Sequence, residues 1–226
     1  MSGGGSSMIT TPVWLMMGFP LPVAICCNVV NGACWTLVAA RNYLRGHTLD
    51  WRFIGIFIAF GLVGAFCGTK VIMSADPKLL QKVFGIFILG LVALAYFKKD
   101  FGLHKKAPKY NRFQSALFAL PLGFYEAFFG SGNGIFTSAV LTTVRGFALL
   151  EALGYYYLVA FAWCVFSSCL FISAGHYDLQ LIVPAIFGSV AGAQLGSRIG
   201  KKYGSTFVKT AFMLIGTVLG GKLLLF

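Results

Sequence analysis

The stretch GFYEAFFGSGNGIF, Gly123 to Phe136, places one carboxylate, Glu126, four residues before the glycine-rich run Gly130-Ser131-Gly132-Asn133-Gly134. The surroundings are almost wholly apolar, which makes the acid a problem that chemistry has to solve. A charged side chain at the centre of a bilayer costs about 2.5–3.5 kcal/mol on insertion scales, so Glu126 has to face protein or water. A carboxylate so placed can take up and release a proton as access to it alternates, which makes Glu126 the candidate proton-coupling residue. The other reading is a carboxylate that hydrogen-bonds free amides at the glycine break and shapes the helix.

The glycine run has its own chemistry. Glycine tolerates tight and left-handed backbone and leaves its N–H reachable. A helix that starts just after such a run aims unpaired N–H groups and a partial positive charge at whatever occupies the break. A second run, Gly3-Gly4-Gly5, lies at the N-terminus, and each run precedes a short apolar segment, about 8–17 and 134–144. No Lys or Arg falls in the middle of a span. A small anion would therefore be held by backbone amides and hydroxyls, with Gly3, Gly4, Gly5, Gly130, Ser131, Gly132, Asn133 and Gly134 as candidate binding residues. A flexible hinge is the bland alternative.

Other polar groups are fewer. Asn28 and Asn31 are three apart and share a helix face, where they could line a substrate path or bond a neighbouring helix. Tyr155, Tyr156 and Tyr157 could wall a cavity or form an interfacial belt. The pairs Gly64/Gly68 and Gly192/Gly196 have the G-x-x-x-G spacing of helix-packing surfaces. Asp50, Asp76, Asp100 and Asp178 fall in loops with solvated or capping roles, and Glu151 in a first helical turn. The six cysteines lie in apolar segments without C-x-x-C spacing and read as small buried hydrophobes. No metal or cofactor is expected.

The elements that must position these residues follow from composition. The chain is 58% hydrophobic and 11% charged, with mean hydropathy +0.82, where a soluble domain carries about 25% charged residues. About 20 apolar residues cross the hydrocarbon core as a helix. The expected class is an all-α polytopic membrane protein in the cytoplasmic membrane, with spans near 22–40, 53–73, 79–97, 112–129, 147–173, 179–199 and 206–226. The segments 8–17 and 134–144 are too short to cross and read as half-helices. The formal charge of +12 lies between apolar runs, as cytoplasmic loops require, so nucleic acid is not an expected partner. No leader with a basic start and an apolar core is evident. A basic loop at 98–111 separates residues 1–97 from 112–226.

These two parts are related. The alignment that lays Gly18-Phe19 on Gly146-Phe147 also lays Trp35 on Trp163, Asp50 on Asp178 and GAFCGTK on GAQLGSR, all at one constant offset. Two repeats are expected, and the placing of the basic loops favours inverted ones. The helix at 112–129 has no counterpart before the first glycine run, so the opening helix of repeat one is expected to be missing. Binding sites in repeat-built transporters lie at the repeat interface near the midplane.

The stretches SGGGSSMITTPVWLMMGFPLPVAICCN, GFYEAFFGSGNGIF, GFALLEA and AGAQLGSRIGKKYG resemble the TauE/SafE sulfite-exporter family. The resemblance spans residues 2–226. It implies a transporter of small anions, particularly sulfite, sulfonates and related sulfur-containing acids, working by alternating access and open to proton coupling. Glu126 stands where many members have an aspartate before the second glycine break, and Asn28 in the stretch after the first. Two departures stand out, the absent opening helix and GYYYLVAF in place of a more polar run. The alternatives are an anion channel with two re-entrant segments, or an accessory subunit that dimerises. An intramembrane protease using Ser131 and His176 lacks the serine context that it needs, and no enzyme is expected.

Overall fold

The protein is described by a computed structural model covering residues 6–45, 48–74, 76, 107–129 and 133–225. The candidate span 79–97, most of the basic loop, Gly3, Gly4, Gly5, Gly130, Ser131 and Gly132 lie outside the described residues. All regular structure among the described residues is helical. The helices are α1 (Ser6–Met16), α2 (Leu21–Leu44), α3 (Trp51–Ser74), α4 (Arg112–Leu117), α5 (Ala119–Phe129), α6 (Gly134–Arg145), α7 (Leu149–Ser173) and α8 (Leu179–Leu225). Four stretches are long and apolar enough to cross a bilayer: Leu21–Leu44, Trp51–Ser74, Leu149–Ser173 and Leu179–Gly200. The chain is an all-α, multi-pass membrane protein.

Local chemistry explains where the helices stop. Gly18 (φ 87°) ends α1 and Gly146 (φ 71°) ends α6, both in left-handed backbone that a side chain would strain. Pro20 then enters α2 in extended geometry and Ala148 does the same for α7. Asn111 opens α4 with a capping box, its side chain accepting from the Gln114 N–H at 2.8 Å. The α8 run is interrupted at Gly204 (φ 78°), so the two spans expected at 179–199 and 206–226 join across a kink. Helix starts pair across the chain: Ser6 of α1 with Gly134 of α6, Leu21 of α2 with Leu149 of α7, and Trp51 of α3 with Leu179 of α8. Each pair keeps the offset that lays Gly18 on Gly146.

The core is a pair of antiparallel helices. Near the end of α2 the Leu44 side chain fills the notch at Gly154 near the start of α7, while Ile25, Cys26 and Cys27 share an apolar cluster with Cys164 and Phe171. The half-helix α1 packs on α2 and α6 on α7.

A second pair, α3 and α5, meets backbone to backbone. Gly61, Gly64 and Gly68 lie on one side of α3, and a methyl group added to Gly64 would sit 2.0 Å from the Leu120 carbonyl oxygen. The expectation that GAFCG is a packing surface holds. In its counterpart Gly196 is buried, whereas a methyl on Gly192 meets no described atom within 4 Å. Next to Gly192 on α8, Leu195 is 64% exposed among the described residues.

Candidate functional site

The helices α4 and α5 run inward from Arg112, the chain breaks, and α6 returns from Asn133. Both ends of this excursion reach the same place: Arg112 Nε and Arg145 Nη2 lie 2.7 and 3.6 Å from one oxygen of Asp50, Oδ2. The Arg145 Nη1 donates to the Tyr110 carbonyl at 3.2 Å, and the Lys109 N–H donates to that of Val144 at 3.0 Å. The foot of α6 therefore lies beside the head of α4, so the two arms form a hairpin whose ends meet. Its returning arm has 12 residues, about 18 Å of helix, too short to cross a hydrocarbon core about 30 Å thick.

Glu126 sits beside that break with 1% of its surface exposed. The Tyr156 hydroxyl donates to its Oε1 at 3.2 Å and lies 3.4 Å from Oε2, and the Cys164 thiol approaches Oε1 at 3.7 Å. Asn133 presents its backbone N–H and side-chain amide to the same carboxylate. The Asn133 Nδ2 also donates to the Leu122 carbonyl at 2.6 Å, which staples the break to the incoming arm. Among the described residues no cation pairs with Glu126. Its partners are a hydroxyl, a thiol and an amide, and hydrogen bonds of this kind to a charged group are worth about 1.5–3 kcal/mol each.

The start of α6 carries further polar atoms. The Thr137 N–H donates to the Asn133 carbonyl at 2.9 Å, and the Ser138 hydroxyl turns back on the Gly134 carbonyl. The buried Asn133 Oδ1 and Thr137 Oγ1 find no hydrogen-bond partner among the described residues.

The two asparagines of α2 separate. Asn28 is occupied: Thr10 Oγ1 donates to its Oδ1 at 2.6 Å, and its Nδ2 donates to Thr11 Oγ1 at 2.7 Å. It fastens α1 to α2, the second of the two roles open to it in the sequence. Asn31 Nδ2 reaches Cys27 Sγ at 3.4 Å, and its Oδ1 has no partner among the described residues.

The three tyrosines form neither a single wall nor an interfacial belt, because successive helical residues project about 100° apart. All three are buried. Tyr155 accepts from the Asp50 N–H at 3.0 Å, Tyr157 packs edge-on to Trp35, and Tyr156 alone reaches Glu126. Tyr156 was hidden in the sequence among equals. One signal could have singled it out: the repeat alignment lays it on Asn28, the position that binds the other half-helix.

A buried carboxylate at a helix break, on a hairpin that stops inside a helical bundle, is the equipment of a polytopic membrane transporter. The family description "Sulfite exporter TauE/SafE" matches residues 1–223. The chain belongs to the TauE/SafE sulfite-exporter family. It is similar to a probable membrane transporter protein of Haemophilus influenzae, with 27% identity over 97% of this chain and 87% of the relative. A Sinorhizobium protein, probable membrane transporter protein ORF9, is 25% identical over 98% of this chain and 85% of its own length. The Escherichia coli K12 probable membrane transporter protein YfcA is 22% identical over 98% and 82%. No solved structure matches the chain. The protein is a membrane transporter of a small-molecule substrate, and not an enzyme.

Proposed function

We propose that this transporter moves small anions, sulfite, sulfonates or related sulfur-containing acids, across the cytoplasmic membrane by alternating access, with Glu126 as the proton-coupling residue. The observation that carries the reading is the Glu126 carboxylate, 1% exposed and bonded by Asn133 just ahead of the half-helix α6. A fixed buried charge without a counter-ion is strongly destabilising. A carboxyl that gains and loses a proton during a cycle avoids that penalty for part of each turn. Its hydroxyl, thiol and amide partners can serve either form, since each can rotate or switch between donating and accepting.

The anion itself is assigned to the glycine breaks. Gly3, Gly4 and Gly5 in the first and Gly130, Ser131, Gly132, Asn133 and Gly134 in the second offer bare N–H groups at the positive end of a half-helix. The unpartnered atoms Asn133 Oδ1 and Thr137 Oγ1 support a polar solute or water there, with the threonine hydroxyl as a donor to an anion. Asn31 offers a further amide on α2. That α2 and α7 run antiparallel, while their starts at Leu21 and Leu149 coincide in the repeat alignment, supports inverted repeats over 1–97 and 112–226.

Flux into proteoliposomes tests the reading. A panel of sulfite, short sulfonates and carboxylates is offered with and without an imposed proton gradient. Concentrative uptake or efflux of the sulfur oxyanions under the gradient is the expected result, with Glu126→Gln inserting normally but losing the driven component. Gly132→Val should weaken substrate binding by filling the break. Passive, non-saturating flux in the wild type would instead indicate a channel, and unchanged driven transport in Glu126→Gln would remove the coupling role.

A further inference from the structure

The charged cluster that closes the hairpin does more than mark its ends. Asp50 uses every polar atom it has near the backbone of four segments. Its Oδ1 accepts the Phe53 N–H at 3.2 Å and so caps α3, and its own N–H donates to the Tyr155 hydroxyl of α7 at 3.0 Å. Its Oδ2 is shared between Arg112, at the head of the incoming arm, and Arg145, at the foot of the returning one. The Arg145 guanidinium lies over the Phe53 ring at 4.9 Å.

The two arms are not held alike. The incoming arm is seated on α3 by backbone contact, Gly123 against the Gly61 carbonyl, Gly64 against that of Leu120 and Gly68 against that of Phe124, while a side chain on Gly61 would meet the Trp163 ring of α7. Helices packed so closely move as one body. The returning arm, α6, has no such seat on α3; at its foot Arg145 ties it to Asp50, next to the Val144 carbonyl that accepts from the Lys109 and Tyr110 N–H groups. Its head is the break beside Glu126. A tilt of α6 away from α3 would therefore open a path from the Asp50 end of the bundle to Glu126 without disturbing α5.

We propose that Asp50 and Arg145 form a latch on the half-helix α6, which has to open for the buried carboxylate to be reached from the basic end of the bundle. Arg112 meets the same Asp50 oxygen from the incoming arm, which its glycine seat holds independently, and is not part of the latch. The strengths suit the role. The Arg145 side chain is 13% exposed and that of Asp50 23%, and the two groups stand 3.6 Å apart, a long ion-pair separation that can break and re-form within a transport cycle. The latch belongs to the hairpin and not to any one substrate, so it stands whatever anion the protein carries.

The experiment uses the native cysteines of the full-length protein in detergent. Cys164 lies against Glu126, while the equally buried Cys26 lies near the start of α2, toward the other end of the bundle. Alkylation by N-ethylmaleimide is followed at each site by mass spectrometry. Arg145→Gln and Asp50→Asn are expected to raise the Cys164 rate about three- to fivefold, the population shift that loss of a partly exposed ion pair gives. Arg112→Gln should leave it at the wild-type rate, because the glycine seat still holds α5. The latch is overturned if Arg145→Gln labels like the wild type, if Arg112→Gln labels as fast as Arg145→Gln, or if Cys26 accelerates together with Cys164. Asp50→Asn keeps the cap on Phe53, and should it still fail to fold, the two arginine variants decide the matter alone.

Discussion

Gly123 lies against the backbone of Gly61: a methyl group built on Gly123 would come 2.0 Å from the Gly61 carbonyl oxygen. This contact seats the incoming arm of the hairpin on α3 and, three residues on, sets the depth of Glu126. Gly123→Ala is expected to lower thermal stability in detergent by the equivalent of roughly 1–3 kcal/mol, the usual effect of overpacking. Gly192→Ala, which meets only open space among the described residues, should melt with the wild type. Equal melting of the two variants would mean that α5 does not sit on α3 as described.

Tyr156 donates to Glu126, whereas Tyr157, one residue on, packs on Trp35 and Tyr43. A hydrogen bond to a charged group is worth about 1.5–3 kcal/mol. Tyr156→Phe should therefore reduce proton-driven transport by tenfold or more, with Tyr157→Phe close to wild type. The assay is initial-rate uptake in proteoliposomes at matched protein density, and a larger loss in Tyr157→Phe would dissociate Tyr156 from the working site.

Asn28 gives a test between fastening and binding. Its two hydrogen bonds to Thr10 and Thr11 hold α1 on α2, so Asn28→Ala should destabilise the protein by about 1–3 kcal/mol. Thr11→Val, which removes one of the same bonds, should produce part of that loss. Calorimetry or thermal melts read both. A variant of Asn28 that melts normally yet binds substrate poorly would assign the residue to the solute instead.

Asp50 links stability to acid. Partial burial pushes its carboxyl upward, but the Arg112 hydrogen bond, the Phe53 N–H and the charges of Arg112 and Arg145 outweigh it, so its pKa lies below the ordinary value. A depressed carboxyl contributes stability that is complete above its unfolded pKa of about 3.9 and disappears as pH falls through the folded value. The melting temperature of the wild type should fall more steeply below about pH 4 than that of Asp50→Asn. Parallel curves for the two proteins would show that the ion pair adds nothing to the fold.

Much of the architecture was written in local signals. The half-helices begin at the glycine runs and end at Gly18 and Gly146, because only glycine enters left-handed backbone freely. The long spans followed from the absence of charge. The capping role open to Asp50 was also legible, since an acid just before an apolar helix has one ready use. What stayed hidden was distance. Arg112 lies 62 residues from Asp50 in the chain, and a sequence of loops and helices does not say which basic residue an acid will meet. Helix phase was equally silent in α7, where polar tips at 155, 156 and 157 look alike until neighbours define inside and outside. The two G-x-x-x-G pairs show the same limit: identical spacing, one covered by backbone at Gly64 and Gly68, the other open at Gly192 and buried at Gly196.

A chain that goes in at Arg112 and comes out at Arg145 makes no net crossing, so the aqueous compartment assigned to Tyr110 is also that of Gly146. The parity of the whole topology then rests on the full-length spans alone.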